Sequence, residues 1–358
     1  MSTLLSEANL SQLINELAKR EGETGKRYNT RPNVKRNSLL PGTDPNYYEF
    51  YKIQEAMIWT PEEIDFSNDR EDFKKLPEWQ QKQLKKIFGF FSVADTQVLN
   101  NIDHRFLLEL DSMEEKAPLI IQGFMELVHA NTYDLITMSI FDNEEERDSI
   151  FYAINNDPYV RRKSEFIDKY AYSDIPLVYR LFAFGIVEGV FFAFLFCVIF
   201  SLYSSGKMKG IIVANLQISK DETVHRNYAG YLFRVYRQRM ELKGEEFDMN
   251  LLNKIVGEAI DIETAFVNDM HDENDPNSKE SYIIYIKKVM DDMLIEFGLN
   301  PIYKVDNPIK YMEQIGNSSK TNFYEMRVTD YRRFDLGKAM NWKDKFNKLD
   351  DNILDEDF

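Results

Sequence analysis

The sequence contains only four histidines, and two of them follow a glutamate by three residues. Glu126 precedes His129, and Glu222 precedes His225. Positions i and i+3 lie on one face of an α-helix, so each pair can direct a carboxylate and an imidazole at one point. A single Glu-x-x-His pair is usually a surface glutamate beside an ordinary histidine. Two such pairs in a protein with so few histidines indicate a metal site.

Each pair is preceded by an isolated acidic residue at a similar distance. Asp95 lies 31 residues before Glu126, and Glu188 lies 34 residues before Glu222. Both distances fit the second half of one helix, a turn and the first half of the next helix. Two such hairpins would converge on a four-helix core with the ligand set of di-iron and di-manganese carboxylate bundles. Oxygen and imidazole ligands without thiolates favour iron or manganese over structural zinc. The predicted ligands are Asp95, Glu126, His129, Glu188, Glu222 and His225.

A tyrosine follows the first pair on the same helix face. Tyr133 lies four residues after His129 and should therefore be beside the metals. A phenol in a dry, apolar pocket next to an oxidising metal pair can lose an electron and a proton and persist as a radical. Since the sequence has 20 tyrosines, an ordinary core position is the alternative for Tyr133. Three apolar residues at helical spacing from Glu188 and Glu222 are expected to enclose the ring: Phe192, Phe196 and Ile218.

The composition favours helices as the elements that position these residues. Gly and Pro together make up 26 of 358 residues (15 and 11), below the usual share of roughly 12%. The sequence therefore predicts an all-α fold. Pro77 is expected to open a helix over 78–110, and Pro118 a helix through Glu126 and Tyr133. Further helices are expected near 209–239, 246–270 and 279–297.

One helix is apolar enough to cross a membrane. Between Leu181 and Tyr203 the only charged residue is Glu188, and the length meets the usual test of about 20 residues. Asp174 is expected to cap this helix, and Gly206 to lie just past its end. An unpaired glutamate in this helix would be costly, whereas coordination of a cation removes the cost. The segment is therefore interpreted as a core helix around the metal site.

Charge and cysteine content narrow the function classes. The net charge of −16 and the pI near 4.9 disfavour nucleic acid as a partner. The single Cys197 excludes an internal disulfide and fits a reducing compartment, and the N-terminus does not read as a secretory signal, so a cytoplasmic location is expected. Three regions are predicted: an N-terminal arm (1–45), a helical body (46–315) and a flexible, acidic C-terminal tail (316–358).

Five segments in order resemble one known family. MIWTPEEIDFSNDREDF, FGFFSVADTQVLNNIDHRF, MELVHANTY, IVEGVFFAF and ISKDETVH are similar to successive motifs of the class I ribonucleotide reductase small subunit. The eukaryotic and viral branch is the most similar. The resemblance runs from about Trp59 to His225 and resumes near the C-terminus, and all six ligand positions and Tyr133 are intact.

The resemblance implies a ferritin-like homodimer with two iron ions per subunit, or manganese in their place. Asp95, Glu126 and His129 would hold one metal, and the second set of three ligands the other. The family uses this centre and oxygen to generate a stable tyrosyl radical, here on Tyr133. The radical serves the large subunit, which reduces ribonucleoside diphosphates, and the small subunit is inactive alone.

The resemblance also implies a route from the metals to the large subunit. Trp59 and Asp221 match a tryptophan and an aspartate that hydrogen bonds link to the histidine of the first metal. Tyr331, in NFYEMRVTDYRRF, matches a relay tyrosine, and the terminal LDEDF matches a peptide that docks on the large subunit. The interval after Tyr331 contains an additional segment, GKAMNWKDKFNK.

Two other protein classes share the six predicted ligands. A di-iron oxidase that acts on its own substrate would need a channel to the metals and no radical-transfer route. An iron-storage protein of the ferritin type would form a closed shell from subunits of about half this length. A membrane protein is the third alternative, and it rests on the apolar helix alone.

Overall fold

The regular secondary structure in the described part of the protein is helical throughout. The computed structural model describes residues 39–40, 42–313 and 315, and within these ranges no strand is present. The all-α prediction is therefore confirmed. The predicted N-terminal arm lies almost wholly outside the described residues, and the predicted C-terminal tail lies entirely outside them.

Two long helical segments contain a π-helix, in which the backbone bonds span five residues instead of four. These π-helices are Ile102–Phe106 and Val187–Phe191, and short 3₁₀ turns lie at Pro61–Glu63 and Tyr203–Ser205. In sequence order the α-helices are α1 (Pro45–Ala56), α2 (Asp69–Lys74), α3 (Glu78–Asn101), α4 (Leu107–Glu109), α5 (Met113–Ile140), α6 (Glu144–Phe151), α7 (Ala153–Asn156), α8 (Pro158–Ala171), α9 (Leu177–Ile186), α10 (Ala193–Ser201), α11 (Lys209–Leu242), α12 (Met249–Met270) and α13 (Lys279–Glu296).

Four long segments form the core that the ligand spacing predicted. Helix α3 packs along α5, and α9 with the second π-helix packs along α11. Helix α5 also contacts α11, which joins the two hairpins. Each hairpin therefore supplies an isolated acid from its first segment and a Glu-x-x-His pair from its second. Helices α12 and α13 pack on the second hairpin, and α8 packs against both α3 and α9.

The start of α11 is fixed by a residue from a different helix. The Asp69 carboxylate accepts hydrogen bonds from the backbone amides of Gly210 (3.2 Å) and Ile211 (2.8 Å). A carboxylate in this position satisfies amides that have no partner within the helix and complements the helix dipole. A Cβ at Gly210 would lie 2.5 Å from the backbone oxygen of Asp65, so only glycine fits this close approach. This contact sets the register of the helix that carries Glu222 and His225.

Two predicted helix starts are wrong. Helix α5 begins at Met113, five residues before Pro118, because the Ser112 side chain accepts a hydrogen bond from the Glu115 amide and caps the helix there. Pro118 lies inside the helix instead of opening it. Asp174 does not cap the apolar helix, which begins at Leu177 after Pro176.

The apolar segment is a core helix. The stretch Leu177–Ser205 is long and apolar enough to cross a membrane, but its most apolar part is completely buried inside the protein. Gly206 follows it in the left-handed region (φ 68°), as predicted for the residue past the helix end. The second π-helix interrupts the segment at Val187–Phe191, which the sequence did not predict.

Candidate metal centre

The six predicted ligands lie together in the centre of the four-helix core, and each is buried. Asp95 comes from α3, Glu126 and His129 from α5, Glu188 from the second π-helix, and Glu222 and His225 from α11. Four of the six residues each place one ligand atom within 4.8 Å of the corresponding atoms of the other three. These four residues are Glu126, Glu188, Glu222 and His225.

Two glutamates lie between the two imidazoles. Glu222 places one oxygen 3.0 Å from His129 Nδ1 and the other 3.3 Å from His225 Nδ1. Glu126 does the same from the opposite helix, with oxygens 3.7 Å from His129 Nδ1 and 3.2 Å from His225 Nδ1. Carboxylates with one oxygen towards each imidazole are suited to bridge two metal ions.

Several ligand atoms are buried and make no hydrogen bond of normal geometry among the described residues, although two of them, Glu222 Oε1 and His129 Nδ1, lie 3.0 Å apart. They include both oxygens of Asp95, one oxygen each of Glu126, Glu188 and Glu222, and Nδ1 of His129. A buried polar atom without a partner costs free energy. A bound metal ion would be coordinated by these atoms and would remove that cost. The residues present therefore fit a carboxylate- and imidazole-bound dimetal centre.

Burial and the neighbouring charged side chains shift the pKa values of the cluster residues. Burial raises the pKa of Asp95 and of Glu188 well above the usual range, and neighbouring carboxylates add to the shift at Glu188. Burial alone would lower the pKa of His129 and His225, but contacts with acidic side chains outweigh it and raise both. Burial also opposes ionisation of Glu222, yet its contacts with Glu188 and both histidines lower its pKa. Without a cation the cluster therefore holds protons.

Gln122 is a neighbour of the cluster that sequence reasoning missed. It lies on α5 one turn before Glu126 and is completely buried. Its amide nitrogen donates to Glu126 Oε1 (3.1 Å) and to Glu188 Oε1 (3.2 Å), which joins carboxylates from the two hairpins. The spacing of four residues before a ligand was the available signal.

Tyr133 is fully buried beside the cluster, as predicted. Its hydroxyl donates to Asn215 Oδ1 (2.8 Å), while Asn215 Nδ2 donates to the Ile211 carbonyl (2.8 Å) and so fixes the orientation of the amide. Burial raises the pKa of the Tyr133 phenol well above its usual value, with Asp95 and Glu222 acting in the same direction. The phenol therefore keeps its proton.

The aromatic wall around Tyr133 differs from the prediction in one respect. The ring in direct contact is Phe91, which stacks on Tyr133 with centroids 4.3 Å apart and planes 4° apart. Phe192 and Phe196 pack against Phe91, at 5.4 Å and 5.6 Å, and form the next layer. Ile218 is buried on α11. Phe91 lies one helical turn before Asp95, a signal that the sequence analysis did not use.

A line of contacts leads from the cluster towards the surface. Asp221 Oδ2 lies 3.0 Å from His129 Nε2 and accepts a hydrogen bond from Trp59 Nε1 at 2.8 Å. The Trp59 ring stacks near the His129 ring, with centroids 6.1 Å apart. Trp59 itself is buried, but the adjacent residues Ile58 and Thr60 are exposed. Tyr331, the remaining predicted relay residue, lies outside the described residues.

Comparisons with known proteins identify the family. The family model described as ribonucleotide reductase, small chain, matches residues 36–308. One ribonucleoside-diphosphate reductase small subunit of Arabidopsis thaliana is 33% identical over 331 residues, which cover 91% of this protein and 97% of that one. The corresponding small subunit of Plasmodium falciparum is 33% identical over 300 residues, which cover 83% of this protein and 84% of that one.

Solved structures show the same fold. The Rnr4 homodimer of Saccharomyces cerevisiae, a ribonucleotide reductase structure, superposes with a TM-score of 0.70 at 25% identity, over 91% of this protein and 100% of that one. The dimanganese(II) NrdF protein of Streptococcus sanguinis superposes with a TM-score of 0.65 at 21% identity, over 74% of this protein and 94% of that one. With the buried carboxylate and histidine cluster, these matches establish that the protein belongs to the ribonucleotide reductase small-subunit family.

Proposed function

We propose that this protein stores an oxidising equivalent as a radical on Tyr133 and delivers it through Asp221 and Trp59 to the large subunit of a ribonucleoside-diphosphate reductase. Two features of the cluster's surroundings carry the proposal. A buried phenol lies close enough for Asp95 and Glu222 to act on it, and a line of contacts joins His129 to Asp221 and Trp59. A storage protein needs neither feature.

We assign three ligands to each of two metal ions. Asp95, Glu126 and His129 would hold the first, and Glu188, Glu222 and His225 would hold the second, since Glu126 and Glu222 each place one oxygen near each imidazole. We propose iron, with manganese as the alternative, since both suit these ligands. The streptococcal relative contains dimanganese(II). When bound, the pair supplies the oxidising power that removes an electron from the phenol.

The residues around Tyr133 determine the form of the radical. The raised pKa keeps the phenol protonated before oxidation, so an electron and a proton are both lost, and the proton would pass to a carboxylate of the cluster, of which Asp95 and Glu222 act on the phenol. Asn215 Oδ1 holds the hydroxyl before oxidation, but an amide oxygen accepts a hydrogen bond without acting as a base that retains the proton. Phe91 and the phenylalanines behind it exclude water and offer no easily oxidised group. The resulting neutral radical is shielded from reductants.

The outward route uses groups that can move a proton with the electron. Asp221 accepts from the Trp59 indole N–H and lies within hydrogen-bond distance of His129 Nε2. Electron loss from the Trp59 indole makes its N–H a stronger acid, and Asp221 is placed to accept that proton. Beyond Trp59 we propose Tyr331 as the relay at the subunit boundary and the terminal LDEDF peptide as the docking segment for the large subunit.

A homodimer is supported by an apolar surface on α5. Its outer face exposes five large apolar residues at helical spacing: Ile120, Phe124, Leu127, Leu135 and Met138. Exposed patches of this kind mark association surfaces. The yeast relative is a homodimer. We propose that a second copy covers this face, and we propose a cytoplasmic location for the assembly.

The dimer can be tested by placing a charge on this face. Leu127→Asp should convert the dimer to a monomer in sedimentation experiments, because a carboxylate buried in an apolar interface is strongly unfavourable. Ile295→Asp is the control, since Ile295 is exposed on α13, which packs on the second hairpin. A monomeric wild-type protein, or a Leu127→Asp variant that remains dimeric, would contradict the assignment.

The radical assignment is tested by nucleotide reduction with the reconstituted pair of subunits. Tyr133→Phe should abolish reduction while the protein still folds and binds metal. Tyr228→Phe is the matched control, because Tyr228 is equally buried but donates to the Glu115 carbonyl, away from the ligands. Unchanged turnover in Tyr133→Phe would overturn the proposed function.

A further inference from the structure

A lysine and a glutamate form a completely buried ion pair behind the second π-helix. Lys163 on α8 and Glu263 on α12 are both 0% exposed, and Lys163 Nζ lies 2.7 Å from Glu263 Oε1. Their hydrogen bonds and ion pairs within the described residues include no metal ligand and no residue of the route through Trp59. Burying two charges is expensive, and an apolar pair of similar volume is often as stable or more stable. Bulk stability is therefore a poor explanation for this pair.

The lysine also makes a hydrogen bond to the backbone of the second π-helix. Lys163 Nζ donates to the backbone carbonyl of Phe191 at 2.9 Å. Phe191 is the last residue of the second π-helix. The ammonium also lies over the rings of Phe90 (4.4 Å) and Phe266 (4.4 Å), which line its site with π-faces and hold it in place.

The Phe191 carbonyl, which Lys163 binds, lies close in sequence to a predicted metal ligand and to the aromatic wall around Tyr133. Glu188 lies three residues before Phe191 within the same π-helix. Phe192 is the next residue, and its ring packs against Phe91, the ring stacked on Tyr133. A π-helix is a locally irregular segment that is common at functional sites. The bond from Lys163 fixes the segment at the point where it returns to α-helix.

We propose that Lys163, held by Glu263, is a positioning residue that fixes the second π-helix and thereby the direction in which Glu188 presents its carboxylate to the second metal. The proposal rests on the proposed function, in which Glu188 is a ligand. Lys163 acts only through the backbone and does not bind metal. Its removal should therefore alter the segment around Glu188 even when no metal is present.

Hydrogen exchange of the metal-free protein tests the backbone part of the proposal. In Lys163→Met, amides of peptides covering 187–192 should exchange about tenfold faster than in the wild type, since local opening becomes easier. Arg180→Met is the matched control, because Arg180 is a nearly buried cation on α9 that pairs with Glu109 instead of Phe191. Equal protection of 187–192 in Lys163→Met and wild type, or an equal loss in both variants, would overturn the proposal.

Titration with Mn²⁺ tests the link to Glu188. Lys163→Met should weaken one of two Mn²⁺ sites by about tenfold, as for other groups that orient metal ligands. In a Glu188→Gln background, Lys163→Met should cause no further loss, because both changes act on the same ligand. Additive losses in the double variant would contradict the proposal.

Lys163→Met leaves Glu263 as a buried charge without its cation, which could prevent folding, so a second variant removes both charges. Lys163→Met/Glu263→Leu removes the contact to Phe191 without leaving a buried charge, and it should show the same faster exchange and the same loss of one Mn²⁺ site. Normal protection and two sites of normal affinity in this variant would overturn the proposal. The proposed function fails separately if the wild-type protein itself binds neither two Mn²⁺ nor two Fe²⁺ ions.

Discussion

The two halves of the centre contain the same ligand pattern but are connected to different parts of the molecule. In the first half, Asp95 lies on regular α-helix, and His129 contacts Asp221 and, through it, Trp59 next to an exposed segment. In the second half, Glu188 lies on a π-helix whose last carbonyl is bound by the buried Lys163. The first half is therefore in contact with a residue near the surface, whereas the second half is held by a residue in the core.

Under the proposed function, this difference would let one repeated motif serve two tasks. Charge transfer to another subunit requires a group near the surface in hydrogen-bonded contact with the centre, and only the first half has such a line among the described residues. Stable metal binding in an apolar core requires that a buried carboxylate be held in one direction, and the second half has a device for this. Substitutions in the two halves should therefore have separable effects on nucleotide reduction and on metal binding.

The largest separable effect is expected at Asp221. Asp221→Asn should lower nucleotide reduction by about 100-fold, the upper range for groups that support a ligand, because the charge between Trp59 and His129 is lost. The amount of Tyr133 radical should stay close to the wild-type level. Reduction assays and radical quantification on the same sample provide the measurement.

Asp291→Asn is the control for loss of a buried carboxylate elsewhere. Asp291 accepts from the Ile302 and Tyr303 amides, away from the centre, and its substitution should cost stability without a specific loss of turnover. If Asp221→Asn kept full turnover, the first half would not be the outward connection.

Phe91→Leu should shorten the lifetime of the radical. The substitution removes the ring stacked on Tyr133 and admits water, at a stability cost of about 1.5 kcal/mol for an apolar replacement. Decay of the radical after removal of excess metal and oxygen is the quantity to follow. Phe106→Leu, at a buried ring that packs on Phe184, should cost similar stability and leave the lifetime unchanged. Equal lifetimes in both variants would show that Phe91 does not protect the phenol.

Metal binding should weaken as the pH falls. Asp95 and Glu188 have raised pKa values in the metal-free cluster, so metal ions must displace protons from them. Affinity should therefore rise with pH, by roughly tenfold per pH unit for each proton displaced. Asp95→Asn, which removes one titrating carboxyl from the first half, should give a shallower dependence in Mn²⁺ titrations. A pH-independent affinity in the wild type would mean that the cluster is already deprotonated.

The ligands could be predicted from the sequence because they are related by helical spacing. Two Glu-x-x-His pairs and two acids at matching distances define positions on four helices. All six residues are buried, and Glu126, Glu188, Glu222 and His225 place ligand atoms within 4.8 Å of one another. Trp59 and Asp221 came from family resemblance, since no spacing relates residues 162 positions apart. The contact that joins them is a property of the tertiary structure.

The residues that support the ligands could be predicted only in part. Phe91 and Gln122 each lie four residues before a ligand, so extension of the same spacing rule would have found them. Lys163 and Glu263 come from helices without ligands, and nothing in the local sequence indicates that they meet behind Phe191. The π-helix is equally hidden, because an apolar run gives no signal for one additional residue in a turn.

Electron paramagnetic resonance of the iron-loaded protein tests the central claim most directly. Metal-free protein is given ferrous iron and then oxygen, with wild type compared to Tyr133→Phe and to protein grown with deuterated tyrosine. We expect an organic radical signal that narrows on deuteration and is absent from Tyr133→Phe, although that variant still binds two metal ions. An undiminished signal in Tyr133→Phe would contradict it, as would a wild-type protein that binds two ions and forms no radical with either iron or manganese.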